Sequence, residues 1–260
     1  MDTQQGTPAW FSARRGKLTA SNFGAAAGVN PYCSRRKALR RENGEEVFTG
    51  NAACTWGTQN EKNAIKDYMV RTGNVVKSKG FFTHTTLPWL GGSPDGLVGD
   101  VGMIEVKCPF VKMCPHERIP VYYYCQINGL LEILDKQWCD YITWTPTDFK
   151  VYRVYRDREL FEFLLERYAI FYACMQRGCA EIPNMRTDER KAILARLAES
   201  EATHIKYDFW RALEPASLKG VWVAPPDCED ESSSKEDSDD ASPVRLLCQS
   251  AETTALPQLP

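Results

Sequence analysis

Between Val75 and Lys107 the chain reverses direction every few residues, and this constrains its fold more than any other feature. Short runs near Val75–Phe82, Trp89–Gly92, Gly96–Val98 and Gly102–Lys107 read as strands. The glycines between them suit turns and close backbone approach. After Pro120, Val121–Leu134 carries Ile127, Leu130, Leu131 and Leu134 at helical spacing. Trp138–Trp144 and Lys150–Tyr155 then alternate as strands, joined through Thr145–Asp148 into a hairpin. Helices precede and follow. Trp10 to about Gly28 reads as a loop leading into a short helix, with Thr19 or Ser21 as N-cap. Ser34–Asn43 is a helix stopped by Gly44, and Thr58–Thr72 one with an Ala64, Ile65, Tyr68, Met69 stripe ended by Gly73. Asp157–Arg177 and Arg186–Ser200 are two more. The order predicts one mixed α/β (α+β) domain over residues 1–226. A central mixed sheet flanked by helices would carry Glu105 and Lys107 at its edge or cleft.

The bulk numbers allow that fold and remove other classes. A chain of 260 residues with 43% hydrophobic and 25% charged residues is of ordinary globular composition. No apolar run approaches the ~20 residues that span a bilayer. Met1–Gln5 has neither the basic nor the apolar part of a signal peptide, so an intracellular protein is expected. None of the ten cysteines forms a Cys-x-x-Cys pair. Cys108, Cys114, His116 and Cys125 cluster locally, but at a spacing that fits no standard zinc finger or ribbon.

Charge is unevenly distributed. Residues 227–260 hold nine acids against Lys235 and Arg245, a net of −7, which leaves +5 on residues 1–226. This serine-rich segment has too little apolar surface to offset ordering entropy and reads as a disordered tail. Ser234, Ser238 and Val244–Leu247 lie in it as a weak candidate docking peptide. At the other end, Arg14, Arg15, Lys17, Arg35, Arg36, Lys37, Arg40 and Arg41 face only Asp2 before residue 42. Such an arm suits a polyanion, although the same pattern arises on any solvated helix face.

Chemistry concentrates at Ser93-Pro94-Asp95-Gly96 and, ten positions on from Asp95, Glu105-Val106-Lys107. Pro and Gly around Asp95 mark a turn. In Met103–Lys107 apolar and charged residues alternate, so Glu105 and Lys107 share one strand face. If the Asp95 turn folds back beside that strand, two carboxylates can hold one Mg²⁺ while the lysine orients or deprotonates a water. Alone, the pattern also fits an ordinary hairpin. Three further pieces occur in order: Trp10-x-x-x-Arg14-x-Gly16-x-x-Thr19-Ala20-Ser21, Trp56-Gly57-Thr58-Gln59-Asn60-Glu61, and Tyr122-Tyr123-Tyr124-Cys125-Gln126. Arginine forks, serine hydroxyls and helix amides are natural phosphate ligands. The three tyrosines suit either core packing or stacking on unpaired bases.

With these motifs in this order, from Trp10 to about Tyr155, the chain resembles the phage-lambda-type exonucleases, also grouped as YqaJ-like viral recombinases, of the PD-(D/E)xK nuclease superfamily. The resemblance implies a restriction-endonuclease-like core and a Mg²⁺-dependent (or Mn²⁺-dependent) 5′→3′ exonuclease on double-stranded DNA ends. It implies that Asp95, Glu105 and the Val106 carbonyl hold the metal and that Lys107 is catalytic. Glu61 would reach the metal through water, and Gln126 would position Lys107 or the water. Arg14, Ser21 and Ser93 would bind a 5′-phosphate. The family also implies a ring-shaped homotrimer, a single-strand annealing protein as partner, no membrane, and a viral or phage source acting in the cytoplasm or nucleus of its host. The alternatives within reach of the same motifs are an endonuclease or RNA-cleaving nuclease of the superfamily, and an inactive module that binds DNA ends.

Overall fold

The computed structural model describes residues 5–46, 50–78 and 80–209. Along the chain these form α1 (Pro8–Arg14), β1 (Leu18–Thr19), a 3-10 turn (Ala20–Asn22), α2 (Phe23–Ala26), α3 (Arg35–Glu42) and α4 (Ala52–Thr72). There follow β2 (Val76–Lys77), β3 (Phe82–Thr83), β4 (Leu90–Gly92), β5 (Gly96–Val98) and β6 (Gly102–Lys107). The last group is α5 (Val121–Ile133), β7 (Trp138–Trp144), β8 (Phe149–Tyr155), α6 (Arg158–Gln176), α7 (Thr187–His204) and β9 (Ile205–Lys206).

A six-stranded mixed sheet runs β2-β5-β6-β7-β8-β9. Only β6 and β7 are parallel, with Glu105 opposite Tyr141 and Lys107 opposite Thr143. Parallel neighbours need a crossover, and α5 supplies it. A second sheet, β1-β4-β3, pairs Leu18 with Leu90 in parallel and Phe82 with Gly92 antiparallel. The predicted strand Val75–Phe82 is therefore two short strands in different sheets. Thr7 caps α1 by accepting from the Trp10 N–H, with Pro8 in the first turn, so the stretch read as a loop from Trp10 begins inside a helix. Helix α4 starts at Ala52, six residues before the sequence signal, because Asn51 caps it through the Cys54 N–H at 2.9 Å.

Alternation along β6 and β7 sorts the two faces of the large sheet. Ile104, Val106, Ile142 and Trp144 face α4 and pack with Ala64 and Tyr68. Met103, Cys139 and Tyr141 face the other way, into the larger core with α2, α5 and α6. Glu105 and Lys107 share that second face. Two contacts fix α4: the Tyr68 hydroxyl donates to Asp140 (2.7 Å) and the Trp144 indole donates to Asp67 (2.6 Å). Helix α5 is pinned by Asn128, whose amide both donates to the Asp157 carbonyl (3.0 Å) and accepts from its N–H (3.1 Å). A Cβ added at Gly24 would stand 2.5 Å from the Tyr122 Cβ, so glycine is what lets α2 lie against α5.

The predicted acidic tail, residues 227–260, lies outside the described residues, as does the end of the predicted domain beyond residue 209. Among the described residues no helix is long and apolar enough to cross a membrane.

Candidate active site

Pairing between β5 and β6 ends at Gly96–Ile104, because the chain before Gly96 turns at Pro94-Asp95. Where the ladder stops, the Asp95 carboxylate takes over and accepts from the Val106 N–H at 2.6 Å. The N–H and C=O of one strand residue face the same edge, so the Val106 carbonyl faces this side too. Asp95 thereby stands beside Glu105 as the turn reading required. Glu105 is only 1% exposed. Its Oε1 accepts from Gln126 Nε2 at 2.6 Å and faces Lys107 Nζ at 3.0 Å. Its Oε2 is buried with no hydrogen-bond partner among the described residues. Lys107 Nζ lies 4.4 Å from the centroid of the Tyr123 ring, between the carboxylate and the aromatic face.

Glu61, in the third turn of α4, lines the same cleft. Burial pushes its pKa up to about 8, and the neighbouring Asp95 and Glu105 charges push the same way. Glu105 is likewise raised to about 8, by burial first and Asp95 second. Asp95 is raised by burial, against the opposing pull of Lys107 and the Val106 N–H. Three buried acids, of which Asp95 raises Glu105 and both raise Glu61, with an orphaned buried oxygen on Glu105 among the described residues, are unfavourable as a protein-only arrangement. They fit a hard divalent cation, which prefers oxygen ligands. Among the described residues no three His, Cys, Asp or Glu side chains are already in ligating geometry. A set of two carboxylates and one main-chain carbonyl does not require that.

The other wall of the cleft comes from residues 5–21 and the end of β4. Arg14, Thr19, Ser21 and Ser93 line it together with Trp10. The Trp10 indole N–H donates to Ser93 Oγ at 2.8 Å, and the Arg14 guanidinium stacks 4.3 Å over the same indole. Thr19 and Ser21 share a hydrogen bond of 3.1 Å. Arg14 is 8% exposed and enters the cleft, whereas Arg15 is exposed and does not line it. All the residues singled out by sequence, Arg14, Ser21, Glu61, Ser93, Asp95, Glu105, Val106, Lys107 and Gln126, thus meet in one cleft. Sequence reasoning missed the roles of Trp10, Thr19, Tyr123 and Asn128. Trp10 and Thr19 stand inside the first motif, and Asn128 is two residues past Gln126, but none carries a charge to draw attention.

The basic arm reads differently in three dimensions. Arg36 pairs with Glu181 (3.4 Å), Arg40 with Glu45 (3.6 Å) and Arg41 with Glu46 (3.3 Å). Arg35 is buried and donates to the Pro183 carbonyl at 3.1 Å. Most of the arm's charge is engaged within the protein, and Arg14 is its member that reaches the cleft. The local cysteines do not assemble: Cys125 is buried in the core, Cys114 is exposed, and no metal cluster forms among the described residues.

The protein is thus a mixed α/β protein with clustered acids and a lysine on an inner strand, beside an arginine–serine wall. Residues 9–137 match the family model of the YqaJ-like viral recombinase domain. The match includes every site residue named above. The fold resembles an alkaline exonuclease (LHK-Exo) from Laribacter hongkongensis, at 27% identity and a TM-score of 0.57, covering 74% of this chain and 99% of that one. The same enzyme in complex with dAMP matches at 28% identity with the same TM-score and coverage. A phage-related exonuclease from Haemophilus somnus 129PT shares the fold at 18% identity and a TM-score of 0.50, covering 62% of this chain and 94% of that one. No curated protein sequence matches significantly.

Proposed function

We propose that the chain is a Mg²⁺-dependent 5′→3′ exonuclease that hydrolyses phosphodiesters from double-stranded DNA ends. The observation that carries this reading is a single cleft with two kinds of wall. On one side are Asp95, Glu105 and Lys107; on the other are Arg14, Ser21 and Ser93. The family and the exonuclease neighbours support a nuclease, and the neighbour that holds dAMP supports a deoxynucleotide as product.

Asp95, Glu105 and the Val106 carbonyl would hold the cation, with Mn²⁺ able to substitute. When bound, a divalent cation supplies Lewis-acid polarisation of a phosphoryl oxygen and a lowered pKa for a water. Lys107, confined by Glu105 and the Tyr123 face, offers its ammonium to the negative charge that builds on the phosphoryl oxygens. Gln126 holds Glu105 by one oxygen, and the other would be available to hold the cation. Glu61 adds a carboxylate to order the surrounding water. Arg14, rigidified by stacking on Trp10, and the two serine hydroxyls would bind a terminal phosphate. In this reading the enzyme works as a homotrimer with a single-strand annealing protein, which would take up the exposed 3′ strand.

Incubating linear and covalently closed duplexes with Mg²⁺ or with chelator tests the reading. Mg²⁺-dependent release of mononucleotides from linear DNA alone is expected. Nicking of closed circles, or preference for RNA, would favour the endonuclease or ribonuclease alternative. Binding of ends without nucleotide release would favour the inactive module.

A further inference from the structure

The short sheet β1-β4-β3 gathers the parts of the arginine–serine wall. Thr19 of β1 lies opposite Gly91 of β4, and Gly91 also pairs with Thr83 of β3. Ser93 follows β4 directly, and Ser21 follows β1 by two residues. Phe81 immediately precedes β3, the edge strand of this sheet. It is not among the residues that line the cleft, yet its ring reaches Arg14, which does.

The Arg14 Cζ lies 5.6 Å from the centroid of the Phe81 ring and 4.3 Å from that of Trp10. Both distances fall within the ~6 Å over which an aromatic face attracts a guanidinium. Such contacts use the π-faces of the rings. They leave the N–H groups, which lie in the guanidinium plane, able to donate to a phosphate.

Gly91 explains why Phe81 can stand there. A Cβ added at Gly91 would lie 2.2 Å from Phe81 Cζ and 2.6 Å from its Cε1, so the ring rests on bare backbone. Side chains alternate along an extended chain. Phe82 accordingly packs with the larger core, while Phe81 turns to Gly91 and Arg14. A long arginine free to change rotamer must be ordered when its ligand arrives, and that ordering weakens binding. A second ring supplies part of the order in advance.

We propose that Phe81 is a positioning residue for recognition of the 5′-phosphate. Seated on Gly91, its ring helps hold the Arg14 guanidinium in the cleft before substrate binds. The proposal rests on the nuclease reading and on the phosphate-binding wall within it. It adds a residue that acts on the strand end through another side chain.

Steady-state kinetics on duplexes ending in 5′-phosphate or 5′-hydroxyl test it. The proteins compared are wild type, Phe81→Leu, Phe81→Met, Arg14→Ala and the Arg14→Ala/Phe81→Leu double variant. Both Phe81 variants should raise KM on 5′-phosphate ends about three- to tenfold, with kcat and the KM on 5′-hydroxyl ends close to wild type. Both ends are measured on one preparation, so their ratio does not depend on the fraction folded. In the Arg14→Ala background, Phe81→Leu should change that ratio no further. A phosphate preference unchanged in both Phe81 variants overturns the proposal. So does an equal loss on both ends, which would make Phe81 a packing residue only, or a further loss of preference in the double variant. A wild type that cuts both ends equally sinks the phosphate wall and this proposal with it, but leaves the nuclease reading in place. A wild type with no Mg²⁺-dependent cleavage sinks the nuclease reading itself.

Discussion

Glu105 is held by one oxygen, and its other is buried with no hydrogen-bond partner among the described residues, beside two more acids. Its chemistry follows from that asymmetry. Burial, and after it the neighbouring carboxylates, push the Glu61 and Glu105 pKa values up to about 8 from an ordinary 4.5. Between those values the folded chain keeps protons that the unfolded chain has released, so stability falls as pH rises from about 4.5 to about 8. A cation must displace the same protons, so its affinity should climb over that window and level off above it. Calorimetric Mn²⁺ titrations at pH 6 and pH 8.5 check this; affinity independent of pH would contradict it. Removing one repelling charge separates stability from function. Glu61→Gln should raise the melting temperature in chelator at pH 9, by about 2–4 °C per kcal/mol relieved. Lys107→Ala should lower kcat about a hundredfold or more with the fold intact by circular dichroism.

The elements explain why these side chains meet. Helix α5 carries Gln126, and its roll is set by Asn128 against the Asp157 backbone. Asn128→Ala would strand a buried N–H and a buried C=O, each worth about 1–3 kcal/mol. A melting temperature lowered by several degrees, with a lower kcat, is the expected result. Gly24→Ala would push α2 off Tyr122, cost about 1–3 kcal/mol by overpacking, and be read in the same melts. The long, periodic elements were legible in the sequence: α5, α6 and α7 and the β7–β8 hairpin fall close to where spacing places them. Two-residue strands such as β1 and β9 carry no periodicity, so they were not, and β2 and β3 ran together as one predicted strand. The start of α4 was obscured by Trp56-Gly57, because a glycine inside a helix looks like its boundary. The site was legible for a different reason. Its charged members follow a fixed order along the chain, whereas Tyr123 and Asn128 act through packing that one sequence does not display.

For the whole molecule, charge is the quantity to test. Deleting residues 227–260 changes the formal net charge from −2 to +5. The deletion variant should bind DNA more tightly at low salt, remain active, and approach the full chain as salt screens the difference. Filter binding across a salt series reads both the offset and its disappearance. The central claim is that one cleft joins a cleavage centre to a receptor for a strand end. Its most direct test compares initial rates on duplexes with a 5′-phosphate or a 5′-hydroxyl, for wild type and Arg14→Ala. Wild type should prefer the phosphate about tenfold or more, charge-assisted hydrogen bonds being the stronger kind, and Arg14→Ala should lose most of that preference. Equal rates on both ends in the wild type, or a preference unchanged in Arg14→Ala, would contradict the claim.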